Sequence, residues 1–430
     1  MSGHGARSAG KSIRAYDFGV SKTLSPTPRK VRGVLLLGPA FVAAVAYVDP
    51  GNVAANLTGG ARYGYLLVWV LVAANLMAGL VQYQSAKLGL VSGKTLPQLL
   101  GERLRRGQRR AFWVQAELVA VATDLAEVIG GAIALYLLFG LPLVLGGIIV
   151  GAVSMVMLAV QNRYGQRSFE SIIMALLAII AIGFLAGLVV NPPDGGAIVG
   201  GLLPRFEGTD SVLLAASMLG ATVMPHAIYV HSALARDRHG KAEGGEHTAR
   251  LLKATRWDVI IALSIAGVVN LGMLLLAAVN LRGAGGTDTI EGAHTAIENS
   301  LGSGVALVFA IGLLASGLAS TSVGSYAGAT IMAGLLRKRI PIFARRVITL
   351  IPALLVLGAG ADPTAALVFS QVLLSFGIPF ALVPLLRLTN DRTVMGELVN
   401  GRVVRALLGI IVVLVVALNC ALIFLTFFSP

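Results

Sequence analysis

Apolar runs long enough to cross a lipid bilayer recur along nearly the whole chain, and no other feature restricts its fold so severely. Eleven can be marked, at about 34–58, 65–91, 113–138, 141–160, 169–191, 211–235, 259–281, 303–336, 346–358, 364–386 and 406–428. A helix needs roughly 20 apolar residues to span a bilayer core. Only helices and closed barrels can cross, because the lipid offers no water to an open backbone. None of the runs alternates strictly between apolar and polar, so helices are expected rather than barrel strands. The ninth run is short and carries Pro352, which makes it the weakest. Composition agrees, since 56% of the 430 residues are hydrophobic and 13% charged, whereas soluble domains carry about a quarter charged residues. A soluble enzyme and a disordered chain are both excluded. A single cysteine, Cys420, rules out an intrachain disulfide and a cysteine metal cluster.

The net charge of +14 would suggest a nucleic-acid partner in a soluble chain, but its placement argues otherwise. With the N-terminus put inside, 30 of the 34 Lys and Arg residues fall in inside regions. Only Arg62, Arg205 and Arg282 fall outside, and Lys87 lies within the second span. That asymmetry follows the positive-inside rule and places the C-terminus outside. It accounts for the charge without nucleic acid. Residues 1–33 are polar, basic and rich in Gly and Ser, and read as a flexible cytoplasmic arm with no cleavable signal. The arm contains a literal phosphate-loop match from Gly5 to Ser12. Four residues cannot supply the strand such a loop must follow, so the match is read as chance.

The first and sixth runs share an interruption. One reads Ala46-Tyr47-Val48-Asp49-Pro50-Gly51-Asn52 and the other Ala221-Thr222-Val223-Met224-Pro225-His226, with Ala-x-Val-x-Pro common to both. Proline in mid-span removes a backbone hydrogen bond and breaks the helix. Broken helices at bilayer depth are tolerated around a cavity, and matched breaks in two halves point to the substrate site of a secondary transporter. Runs one to five (34–191) and six to ten (211–386) would be the two repeats. Five is odd, so the second repeat must be inverted, and 403–428 is an added eleventh helix.

The residues around the breaks suggest a cation. Asp49 is a mid-span carboxylate, which is expensive unless it is paired or bound to a cation. Asn52 adds an amide oxygen, Met224 a thioether, and the breaks free the carbonyls of Ala46 and Ala221. Calcium and magnesium prefer all-oxygen sites, whereas a thioether favours manganese, iron(II), cobalt or cadmium. Met224 alone also fits as core filler. Gln371, a mid-span amide, either completes the shell or bonds between helices. Glu117, Asp124 and Glu127 fall within an arc of about 80° on the third span, forming one acidic face. With His226 and His231 on the sixth span they suggest a proton relay. Glu117 also fits a place near the membrane surface. Arg345 and Arg346 suit either counter-ions to these acids or the positive-inside rule.

Asp49-Pro50-Gly51-Asn52 and Met224-Pro225-His226 resemble the two signature motifs of Nramp-type divalent-metal/proton symporters. Leu80 to Gly89, Thr123 to Gly130 and Ser370 to Phe380 also resemble that family, and the likeness extends over roughly 34–428. The resemblance implies a LeuT-type fold and a bacterial inner-membrane importer of Mn²⁺, with Fe²⁺ and similar ions as further cargo, coupled to protons. It implies metal binding by Asp49, Asn52, Met224, Ala46 and Ala221, with Gln371 joining in some states. Asp124, Glu127, His226, Arg345 and Arg346 would match the proton route. Ala227 departs from the asparagine common in the family after Met-Pro-His. The expected partners are metal ions, protons and lipid. No resident cofactor, nucleic acid, obligate protein partner or enzymatic activity is expected. Two alternatives remain, an amino-acid transporter of the same fold and a metal sensor without flux.

Overall fold

A computed structural model describes residues 37–337 and 341–428. The basic arm expected over 1–33, with its phosphate-loop match, lies outside the described residues. Seventeen α-helices follow one another: α1 Pro39–Val45, α2 Pro50–Tyr63, α3 Val68–Ser92, α4 Leu96–Arg103, α5 Arg106–Phe139, α6 Leu143–Tyr164, α7 Gln166–Val190, α8 Gly195–Gly200, α9 Gly208–Thr222, α10 Pro225–His239, α11 Gly245–Asn280, α12 Ile290–Leu301, α13 Ser303–Leu335, α14 Ile342–Gly358, α15 Pro363–Thr389, α16 Arg392–Met395 and α17 Arg402–Phe428. No strand occurs among the described residues. The all-α polytopic class expected from the apolar runs therefore holds.

Among the described residues, nine helical stretches are long and apolar enough to cross a membrane, with α9 and α10 counted as one. The first and ninth apolar runs fall short of that length for visible reasons. The first is cut at Pro50 into α1 and α2, joined by a 3-10 turn over Ala46–Val48. The ninth, α14, has 17 residues with Pro352 inside. Short helices that the hydropathy pattern does not single out, such as α4, α8 and α12, connect the longer ones.

The bundle packs closely because glycines face one another. A Cβ on Gly183 of α7 would lie 2.6 Å from the Cα of Gly312 on α13. Likewise a Cβ on Gly317 of α13 would lie 2.9 Å from the Cα of Gly131 on α5. Small residues at such crossings let backbones approach, which is how helices gain van der Waals contact where lipid supplies no hydrophobic drive. The outer surface is apolar instead, with Leu76 71%, Val413 69% and Ile182 65% exposed. Buried against this, α5 and α13 hold polar groups at the centre, among them Asp124, Glu127, Ser316, Ser320 and Thr321. An apolar exterior with a polar interior is the arrangement a bilayer imposes.

Candidate functional site

The two helix breaks meet. At the first, Pro50 takes the opening position of α2, where its missing N–H costs nothing. Asp49 precedes it in extended conformation (φ −70°, ψ 166°) and caps the helix. Its Oδ1 accepts from the backbone N–H of Asn52 at 2.9 Å and from the Asn52 side-chain amide at 2.7 Å. At the second, Pro225 opens α10 and Met224 is extended before it (φ −74°, ψ 125°). The Asn52 Nδ2 group also donates to the carbonyl of Ala221 at 3.0 Å, which ties the breaks together. Pro225 has no N–H to offer that carbonyl, so Asn52 replaces the lost helical bond.

That network leaves two oxygens over. Asp49 Oδ2 and Asn52 Oδ1 are buried and have no hydrogen-bond partner. Asp49, Asn52 and Met224 are all 0% exposed, and Met224 belongs to the same packed cluster as Ala46. From α15, Gln371 reaches the same place, because a Cβ on Gly51 would collide with the Gln371 amide and lie 3.3 Å from Asp49 Oδ2. Both polar atoms of the Gln371 side chain are also unpartnered. Buried polar groups are normally satisfied, so four orphaned atoms on three neighbouring side chains make this the candidate ligand position. Among the described residues, no three His, Cys, Asp or Glu side chains converge as a metal cluster. The donor set available at the breaks is one carboxylate with amide, carbonyl and thioether groups.

A cavity of about 460 Å³ leads away from this position. Gly51 and Gln371 lie at its buried end, while Arg62, Asp210 and Asp288 line the exposed end.

The acidic face of α5 divides into paired and unpaired members. Asp124 Oδ1 accepts from Arg346 at 2.7 Å, and the same guanidinium donates to Ser154 at 2.7 Å and to Thr321 at 2.8 Å. Glu117 pairs with Arg345 at 2.6 Å. Arg345 and Arg346 are 3% and 1% exposed, so they are buried counter-ions and not interfacial loop charges. Glu127 is 0% exposed, and neither carboxyl oxygen has a partner. It lies within electrostatic reach of Asp124 and Asp49, which links the acidic face to the break.

The two histidines separate. Five residues apart on a helix, they point about 140° away from each other. His226 faces α5, with Nδ1 3.4 Å from the Thr123 hydroxyl. His231 faces α3, with Nδ1 2.7 Å from Gln82 Oε1. Gln82 in turn donates to the Tyr47 hydroxyl at 2.6 Å. Of the two histidines, only His226 stands against α5.

Sequence reasoning did not foresee how the first break is held. Asn270 donates to the Tyr47 carbonyl at 2.7 Å and Ser316 to the Val48 carbonyl at 2.5 Å. Asp258 accepts from the N–H groups of Gly38 and Ala40 at the start of α1, at 3.0 and 2.9 Å. Asn270 and Gln82 are visible in the sequence as amides inside apolar runs. Ser316 and Tyr47 carry no such signal.

The family described as natural resistance-associated macrophage protein-like, Nramp, matches residues 40–425. The chain belongs to the Nramp family. The match takes in both helix breaks, Gln371 and the α5 acids, and leaves the basic arm out. A protein of Mycobacterium tuberculosis named divalent metal cation transporter MntH is 60% identical over 391 residues, covering 91% of each chain. A Bacillus subtilis protein of the same name is 45% identical over 412 residues, covering 95% of this chain and 96% of its own. The crystal structure of an Eremococcus coleocola manganese transporter superposes with TM-score 0.84 at 31% identity, covering 94% of this chain and 90% of that one. Mhp1, a nucleobase-cation symporter, superposes with TM-score 0.56 at 15% identity. At that identity the likeness concerns the fold alone, and the fold is LeuT-type.

Proposed function

We propose that this chain imports Mn²⁺, with Fe²⁺ and similar transition-metal ions as further substrates, coupled to protons by alternating access. One arrangement carries the reading. Two interrupted helices are joined through Asn52, and a buried Asp49 oxygen and the Asn52 amide oxygen stay unpaired at the join. A cation stripped of most of its water offers these atoms what they lack, and Asp49 compensates its charge. The Ala46 and Ala221 carbonyls and Met224 complete the set, and Gln371 joins it in some states. The Ala221 oxygen has a second lone pair beside the one that takes Asn52, so it can serve both. The thioether favours a softer ion than calcium or magnesium. Relatives named as divalent metal cation transporters and a neighbour titled a manganese transporter support the same substrate class.

In this reading 34–191 and 211–386 are inverted five-helix repeats, and 403–428 is an eleventh helix beside them. The chain sits in a bacterial inner membrane with its N-terminus inside and its C-terminus outside, following its Lys and Arg residues. Arg62, Asp210 and Asp288 then face outward, and the 460 Å³ cavity runs from the outside to Gly51 and Gln371, next to Asp49. Inward movement of each positive charge gains about 2.3 kcal/mol per 100 mV. The proton is taken by Asp49 or by the Asp124/Glu127 pair. It leaves along the acidic face of α5 through Asp124 and Glu117, with Arg346 and Arg345 as fixed counter-ions that do not themselves carry it, and with His226 beside Thr123.

The test is Mn²⁺ uptake into proteoliposomes with an inward proton gradient and excess external Ca²⁺. Uptake that resists calcium and rises with external acidity supports the proposal. Metal binding without uptake overturns it in favour of a sensor, and uptake displaced by amino acids overturns the choice of substrate.

A further inference from the structure

A second cavity lies on the opposite side of α3 from the helix breaks, facing the bilayer. It measures about 410 Å³ and runs between α3 and α11. Its wall is apolar and open to lipid, with Leu76 71% and Ile260 45% exposed. Asn75 and Gln84 both line it. They are nine residues apart on α3, so the groove extends about 13 Å along the helix axis.

One end of the groove is polar in a specific way. Arg256 of α11 lines it and holds its guanidinium 5.6 Å from the centre of the Tyr83 ring. No ion pair among the described residues includes Arg256, so an aromatic face orients its charge without neutralising it. Gln84 lines the same end, is 2% exposed, and has an Oε1 atom with no hydrogen-bond donor. Val404, in the first turn of α17, also lines the groove, and its helix brings exposed Arg402 and Arg405. The end therefore offers a free cation, an unsatisfied buried acceptor and further positive charge. The rest offers only hydrocarbon contact.

We propose that this groove binds one anionic phospholipid. Its phosphate sits at Arg256, a headgroup hydroxyl donates to Gln84 Oε1, and an acyl chain lies along Leu76, Gly79 and Leu263. Phosphatidylglycerol has each of these groups. Phosphatidylcholine has the phosphate but neither a net negative charge nor a donor in its headgroup. The groove shares none of its lining with the cavity that leads to Asp49, so lipid binding stands apart from metal binding.

The test is native mass spectrometry of the full chain in detergent, with phosphatidylglycerol or phosphatidylcholine added at equal concentration. Wild type is expected to retain one phosphatidylglycerol and to prefer it to phosphatidylcholine by at least about five-fold, the order expected when one arginine meets a lipid of net negative charge at a membrane surface. Arg256→Gln should cut the preference several-fold, leaving what the Gln84 hydrogen bond and the α17 arginines contribute. Gly79→Leu should fill the groove, since a Cβ there has room, with Leu263 Cδ1 3.9 Å away. It should lower binding of both lipids while the protein still elutes as a folded species. Equal retention of the two lipids by wild type, or an unchanged preference in Arg256→Gln, overturns the proposal. Displacement of the lipid by inorganic phosphate alone would show an anion site in place of a lipid site, and would overturn it too.

Discussion

The helix break and the acidic face of α5 are both buried and both carry carboxylates, and they differ in whether an arginine stands against the carboxylate. On α5, Asp124 is held by an arginine that itself reaches two hydroxyls, and Glu117 has an arginine on Oε1 while its Oε2 stays unpartnered. At the break, Asp49 is satisfied on one oxygen and bare on the other, and Asn52 and Gln371 are bare beside it. An ion pair inside a low-dielectric bundle repays its desolvation only when its geometry is complete. A ligand site needs the reverse, with atoms kept unsatisfied until the ligand arrives. The difference separates carboxylates that an arginine already compensates from those that no cation meets. Glu127 lies between the two regions and, unpaired on both oxygens, belongs with the break.

The strongest way to break this contrast is Arg346→Ala. Removing one partner of a buried pair leaves Asp124 uncompensated, and stability should fall by about 3–5 kcal/mol. Thermal unfolding in detergent reads this, and a change under about 1 kcal/mol would mean that water already reaches the pair. Asp49→Ala should act on transport instead. Mn²⁺ uptake should fall at least about a hundred-fold, roughly 3 kcal/mol. Stability should fall by only about 1 kcal/mol, for the lost helix cap. Near-normal uptake would remove Asp49 from the site. Met224→Ala should leave Mn²⁺ uptake measurable but let Ca²⁺ compete about ten-fold better, around 1.4 kcal/mol. Unchanged calcium rejection would assign the selectivity elsewhere. Glu127→Gln is the finest cut. Stability should change by less than about 1 kcal/mol, because no hydrogen bond is lost, while the dependence of uptake on external pH flattens. An unaltered pH profile would place Glu127 outside the proton route.

Much of this was legible without coordinates. Apolar runs of bilayer length report helices because lipid leaves the backbone no other solution. Proline in mid-run reports a break because it has no N–H. Asp49 stood out because a carboxylate is costly inside a bilayer. Arg345 and Arg346 were harder, because a positive residue at a span end fits the inside rule as well as a counter-ion role. Their burial decides between them. His226 and His231 show what residue type alone leaves open. They lie on one helix, but 140° of rotation sends one to Thr123 and the other to Gln82.

The sequence by itself determined that the chain crosses a membrane as helices, that two of those helices are interrupted, and which residues stand at the interruptions. These are local matters, governed by what a backbone and its own side chains do in lipid. Only the tertiary structure decided that Asn52 bridges the two breaks across 169 positions of chain. It decided that Ser316 and Asn270 hold the carbonyls of the first break, and that Asp124 is satisfied while Glu127 is not. Those facts depend on which helix faces which, and that is set by the packing of many side chains and glycines together, where no single motif reports it.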